Sequence, residues 1–254
     1  LASLRHPNII TLWGLVSQPG RADFGILLDR LPRTLEEQTS IWKAECLYSS
    51  QFIFPWQSQQ RILDFRRILS ERASALKDIS RAMRHLHKKM ILFRDLKPEN
   101  CARTQDGVVK LFDFGLAKEL KAVDAVGYGD LYKATGLTGT LRIMAPEVVQ
   151  CQAYGLQADV YSFGVVMYEV FAGERCQLTA AEICKGQRPN VPPHMGRPFS
   201  DWLQACWSSR CQDRPTMEQL CKQITLEHER LAPSMASPEQ QQQRKNSDML
   251  QYND

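Results

Sequence analysis

The chain lacks any C-x-x-C pair, although it holds eight cysteines in 254 residues. Structural zinc modules draw on such closely spaced pairs, so a zinc-built fold is excluded as a leading reading. Unpaired thiols fit a reducing compartment. No apolar run approaches the roughly 18 residues of a membrane span, and no signal peptide is recognised at the start. Charge of one sign is also scarce. Thirty-two basic residues nearly balance 28 acidic ones, for a net charge of +4. Without a long basic block, that balance argues against nucleic acid as a partner. Finally, no G-x-G-x-x-G occurs, so the backbone cradle such a loop offers to phosphate is missing from these residues.

What is present is ordinary globular composition, 43% hydrophobic and 24% charged, on a chain long enough for a sizeable core. Leu1 to Leu4 read as a helix end, broken by Pro7 in His6-Pro7-Asn8-Ile9-Ile10. Ile9 to Val16 and Phe24 to Leu28 read as two strands around the Gln18-Pro19-Gly20 turn. Residues 32 to 62 have no steady period. Thr34, with Glu37 three positions on, is placed to cap a short helix, and the aromatic-rich Phe52 to Trp56 reads as an insertion. Leu76, Ile79, Met83, Leu86 and Met90 recur at spacings of three and four, predicting a long amphipathic helix. Cys101 to Arg103 and Val108 to Phe112 flank Gln105-Asp106-Gly107, a hairpin signal. Residues 116 to 139 read as one long loop of the kind that carries function. Val160 to Phe171 is apolar nearly all round and predicts a buried helix. A last helix is expected from Thr216 to about Leu231. Pro, Ser and the Gln240 to Gln243 tract predict a disordered tail from 232 to 254. A scrap of sheet followed by a helical body is an α+β arrangement.

Two short segments carry the chemistry. Phe93-Arg94-Asp95-Leu96-Lys97-Pro98-Glu99-Asn100 sets a carboxylate, a Lys and an Asn on one loop. Asp113-Phe114-Gly115 follows, its Asp thirteen positions after Asn100. A carboxylate can accept a hydroxyl proton, and oxygen donors of this kind suit hard cations such as magnesium. The two segments resemble the catalytic loop and metal loop of protein kinases, H-R-D-L-x-x-x-N and D-F-G, with Phe93 where His is usual.

Further stretches extend the resemblance in order along the chain. Gly139-Thr140-Leu141-Arg142-Ile143-Met144-Ala145-Pro146-Glu147 is similar to the family's G-T-x-x-Y-M-A-P-E, with Ile143 in the aromatic position. Asp159 to Gly164 resembles D-V-W-S-x-G, and Cys206-Trp207 and Asp213-Arg214-Pro215 resemble late family elements. Lys97 resembles serine/threonine kinases, and the M-A-P-E and Cys206-Trp207 features bring the chain nearest to their tyrosine-kinase-like branch. The resemblance implies ATP and Mg2+ as cofactors and a protein substrate. It implies Asp95, Lys97 and Thr140 as catalytic groups, and Asn100 and Asp113 as metal ligands. Lys97 and Asn100 would also face the nucleotide. Leu28 would stand at the back of the adenine cleft, with Asp29, Arg30 and Leu31 as the hinge that holds adenine. Leu1 and Leu12 would top an apolar column above Phe114 and Phe93. Asp159 would anchor the catalytic-loop backbone, and Arg214 would pair with Glu147. Arg94 would meet a phosphate on the following loop, added by an upstream activating kinase, with Thr135 and Thr138 as first candidates and Tyr128 and Tyr132 as weaker ones.

Two family parts have no counterpart here, the Gly-rich loop and the V-A-I-K strand Lys, and the Glu that pairs with that Lys should precede Leu1. The expectation is therefore a truncated kinase domain over residues 1 to 231. Residues 1 to 31 would be a remnant of the upper lobe and the hinge, and 32 to 231 the lower lobe. Such a chain alone would bind ATP poorly and turn over little. The other reading is a non-catalytic, pseudokinase-like interaction module, favoured by Phe93 and the missing parts and opposed by Asp95, Lys97, Asn100 and Asp113. A small-molecule kinase is opposed by the M-A-P-E segment, 34 positions from Asp113 to Glu147. A cytoplasmic setting is expected, with the nucleus left open.

Overall fold

A computed structural model describes residues 4–17, 19–21, 23–51, 58–127 and 130–231. The readings made of Leu1, of Phe52 to Trp56, of Tyr128 and of the tail from 232 lie outside the described residues.

Strands β1 (Leu12–Val16) and β2 (Gly25–Leu28) pair antiparallel, Leu12 opposite Leu28. After them comes β3 (Arg33–Thr34), then a helix longer than the sequence suggested, α1 (Leu35–Gln51). Its start is the expected cap. Glu37 N–H donates to Thr34 Oγ1, and Thr34 N–H donates back to Glu37 Oε2 at 2.9 Å. Such reciprocal bonds satisfy backbone donors that a helix start leaves free. The helix escapes a periodicity test because its buried positions mix Leu35 and Trp42 with Gln38 and Thr39.

The amphipathic helix α2 (Ser58–Lys88) buries Leu76, Ile79, Met83 and Leu86 as its spacing predicts. It stops two residues short of Met90, which takes a left-handed φ of 55°. There the chain turns into β4 (Ile91–Leu92). The hairpin β5 (Cys101–Arg103) and β6 (Val109–Leu111) forms around Gly107, whose φ of 84° suits glycine. With β3 it makes a three-stranded sheet in the order β3-β5-β6. The segment at His6–Ile10 clips onto this hairpin: Leu111 N–H donates to Asn8 O, and Ile10 N–H to Leu111 O.

The loop read from 116 to 139 is more structured than expected. It contains β7 (Lys118–Glu119), which pairs with β4, and Tyr132 bridges both Ala125 and Tyr154. Then come α3 (Pro146–Val149), α4 (Gln157–Ala172), α5 (Ala180–Cys184), α6 (Phe199–Cys206) and α7 (Met217–Leu231). Helix α4 is buried on every side from Ala158 to Phe171, which explains its nearly uninterrupted apolar run. It ends at Gly173, in the left-handed region at φ 64°. The core gathers around α2 and α4. The architecture is α+β, with small two- and three-stranded sheets set among the helices. No described helix is long and apolar enough to cross a membrane.

Candidate active site

Asp95 stands at the centre of a buried polar knot. It follows Arg94, held at φ 70°, and precedes the short turn Pro98–Asn100 that leads into β5. A non-glycine residue at such a φ is costly and persists only where its surroundings enforce it. The enforcement comes from α4. Asp159 Oδ2 accepts the Phe93 N–H at 2.8 Å, and Oδ1 accepts the Arg94 N–H at 2.9 Å. His87 Nε2 lies 3.1 Å from the same carboxylate.

Three side chains converge on Asp95. Asn100 Nδ2 donates to the Asp95 carbonyl at 2.9 Å and to Oδ2 at 2.8 Å. Thr140 gives Oδ1 both its backbone N–H, at 3.0 Å, and its hydroxyl, at 2.7 Å. Lys97 Nζ lies 2.7 Å from Oδ2 and donates to Thr140 Oγ1 at 2.8 Å. Thr140 can come this close because Gly139 precedes it at φ 110°. A Cβ on Gly139 would collide with the Arg94 carbonyl. Burial pushes the Asp95 carboxyl up, but the bonds from Lys97 and Thr140 outweigh it and hold it below the usual range. Asp95 is thus ionised and oriented, an acceptor more than a strong base.

Asp113 opens the next loop at φ 60° and is exposed. Among the described residues it accepts only the Gly115 N–H, at 3.3 Å. Phe112 N–H donates to the Asn100 carbonyl, so the two loops are fastened together just before Asp113. Phe114 meets the buried Phe93 edge-on, ring centroids 5.1 Å apart, so Phe93 retains the apolar contact expected of it. The donor set suits a hard cation. Asn100 spends its Nδ2 on Asp95, which leaves its amide oxygen, and Asp113 offers carboxylate oxygens. Among the described residues no group of three or more His, Cys, Asp or Glu could hold a metal ion by itself. A cation here would draw its remaining ligands from phosphate or water.

The predicted hinge lies at the end of β2. Leu28 sits opposite Leu12 and is 37% exposed; Leu31 is half-buried. The Asp29 carboxylate faces inward. Oδ2 accepts Lys110 Nζ at 2.6 Å and the Thr11 N–H at 2.8 Å, and Oδ1 accepts Trp13 Nε1 at 2.9 Å. Burial opposes its charge, yet Lys110 and Thr11 hold this carboxyl far below the usual range. The Asp29 N–H is committed as well, donating to the Thr11 carbonyl at 3.3 Å, so Asp29 has its own backbone carbonyl to offer a ligand.

Arg94 reaches the loop predicted to regulate it. Its Nη1 donates to Thr135 Oγ1 at 2.9 Å, whereas Thr138 bonds back to Thr135 and Gly136. Sequence reasoning missed two features: the Lys110–Asp29 tie, and Arg142, which bridges Glu99 and Glu169. Both Arg142 and Glu99 lie inside the quoted motifs, a signal that their positions already gave.

Residues 1–224 match the family model for the protein kinase domain. The chain belongs to the protein kinase family. It is 30% identical to a probable serine/threonine-protein kinase of Dictyostelium discoideum over 233 residues, 89% of this chain and 15% of that protein. Over 154 residues it is 33% identical to serine/threonine-protein kinase STY46 of Arabidopsis thaliana, 58% of this chain and 25% of that protein. Serine/threonine-protein kinase Nek5 of Mus musculus is 27% identical over 241 residues, 89% of this chain and 33% of that protein. The chain thus spans a third or less of the length of these relatives.

Proposed function

We propose that the protein carrying this kinase domain transfers the γ-phosphate of Mg2+-bound ATP to serine and threonine hydroxyls of protein substrates. The observation that carries this reading is the Asp95 carboxylate, pinned by Thr140, Lys97 and Asn100. Asp95 orients the attacking hydroxyl and accepts its proton. Lys97, between Asp95 and Thr140, neutralises charge on the phosphate in transit. Asn100 and Asp113 would hold magnesium, which would supply charge neutralisation on the phosphate oxygens. The backbone of Asp29 to Leu31 takes the adenine, with Leu28 behind it. Residues 1 to 31 serve as upper lobe and hinge, and 32 to 231 as lower lobe. Relatives named as serine/threonine-protein kinases support the acceptor class. Thr135 is the regulatory hydroxyl best supported, because Arg94 already points at it.

The 254 residues contain neither a Gly-rich loop nor a V-A-I-K Lys to grip phosphates, so by themselves they transfer slowly. A non-catalytic role draws support from Phe93. Phosphate transfer to a Ser/Thr peptide by the full-length protein separates the two. Turnover that Asp95→Asn lowers by about a thousandfold or more, as loss of an acid–base group does, supports the enzyme. No transfer under conditions where ATP binds would establish the non-catalytic role instead.

A further inference from the structure

Two segments meet at Asp95: the catalytic loop 93–100 and the segment that begins at Gly139. The bonds that join them at the carboxylate are short, and the Thr140 side is itself a loop. Something must keep that loop in register. Arg142, two residues beyond Thr140, is only 15% exposed at its side chain and bonds in two directions. Its Nη2 reaches both oxygens of Glu99, at 2.7 and 2.6 Å. Its Nε donates to Glu169 Oε1 at 2.9 Å. Glu99 is the neighbour of Asn100, which holds Asp95. Glu169 is buried in α4, the same helix whose Asp159 holds the Phe93 and Arg94 amides. Glu169 Oε1 also accepts the Cys176 N–H at 3.0 Å. Arg175 adds a second cation to Glu99 and pairs with Glu36, but it is about half exposed.

We infer that Arg142 is a positioning residue for phosphoryl transfer, which locks the Thr140 segment to the catalytic loop and to α4 and so sets the Thr140–Asp95 geometry. The inference rests on the transfer reading above. A planar guanidinium can serve two carboxylates at once, whereas an ammonium presents a point charge on a flexible stem. Arg142→Lys therefore keeps the charge and loses the geometry. Misplacement by about 1 Å of groups at a reacting centre costs rate on the order of 100-fold.

The test uses the full-length protein with Arg142→Ala, Arg142→Lys and Glu99→Gln, measured for kcat, for KM of ATP and of peptide, and for amide hydrogen exchange at Thr140. Arg142→Ala and Arg142→Lys should each lower kcat by roughly 10- to 100-fold per folded molecule, with KM for ATP within about twofold. The Thr140 amide should exchange at least about tenfold faster, because its acceptor is Asp95. Glu99→Gln, which keeps the shape, should give a smaller loss in the same direction. A merely structural Arg142 would lower the thermal midpoint and leave kcat per folded molecule and Thr140 exchange at wild-type values; that result overturns the inference. Exchange is read without turnover. An inactive wild-type protein would therefore sink the transfer reading while the lock is still judged.

Discussion

At the residue scale, Phe93 is the departure most open to direct test. Its ring is fully buried and meets Phe114 edge-on at 5.1 Å, so it packs the base of the Asp113–Gly115 loop through apolar contact. What Phe93 cannot supply is a ring N–H or ring nitrogen to its surroundings. A single neutral hydrogen bond contributes about 1 kcal/mol, equivalent to about fivefold in rate if spent on positioning. Phe93→His in the full-length protein should raise kcat by about that factor, read by peptide phosphorylation at saturating ATP; unchanged turnover would retire the idea. Residues of this sort were legible because the motif is local. Asp95, Lys97 and Asn100 lie within six positions, and Thr140 follows Gly139, whose φ and tight approach to Arg94 demand glycine. Glu169 as the second partner of Arg142, and Asp29 as that of Lys110, were not legible. Glu169 and Asp29 lie far away in sequence, and only folding selects them among 28 acidic residues.

At the element scale, the His6–Asn8 segment docks on α2 through two imidazoles. The rings of His6 and His85 lie 4.9 Å apart, and Asn8 N–H donates to His6 Nδ1, which must be unprotonated to accept it. Burial lowers the His6 pKa to about 4, helped by His85, Arg84 and Arg81 on α2. Burial also lowers that of His85, with Lys89 adding to it. The unfolded chain therefore binds more protons than the folded one between about pH 6.5 and 4, and stability rises with pH through that window. Thermal unfolding should show the midpoint falling as pH drops from about 6.5 towards 4, and His6→Asn should flatten that slope. A slope identical to wild type would remove His6 from the account. The same scale explains what periodicity could and could not predict. Helix α2 was legible because its apolar faces repeat. The length of α1 was hidden because Gln38 and Thr39 occupy core positions, whereas the buried α4 showed itself as a nearly continuous apolar run.

At the scale of the whole molecule, one ion pair ties together parts of the chain that are otherwise separate in sequence. Arg214 donates Nη1 and Nη2 to Glu147 at 2.6 and 2.9 Å, Nη1 also to the Gln157 carbonyl, and Nε to the Ser208 carbonyl. Its guanidinium also lies 5.1 Å from the Tyr161 ring centroid on α4. The segment that follows Thr140, the start of α4 and the loop after α6 all meet on this one side chain. Its exposure is 0%, and that of Glu147 is 10%. Desolvating both charges costs much of what their attraction returns, so the pair as a unit adds little; removing one partner is different, because it strands the other. Glu147→Gln should therefore cost about 3–5 kcal/mol, a large share of the roughly 5–15 kcal/mol that holds a typical domain. Urea unfolding reads this directly, as a lower midpoint at constant slope. Adding Arg214→Met to Glu147→Gln should recover part of the loss, since no buried charge is then left alone. A double variant less stable than Glu147→Gln by the full cost of a second independent lesion would mean that Arg214 acts through its carbonyl and ring contacts, not through the pair.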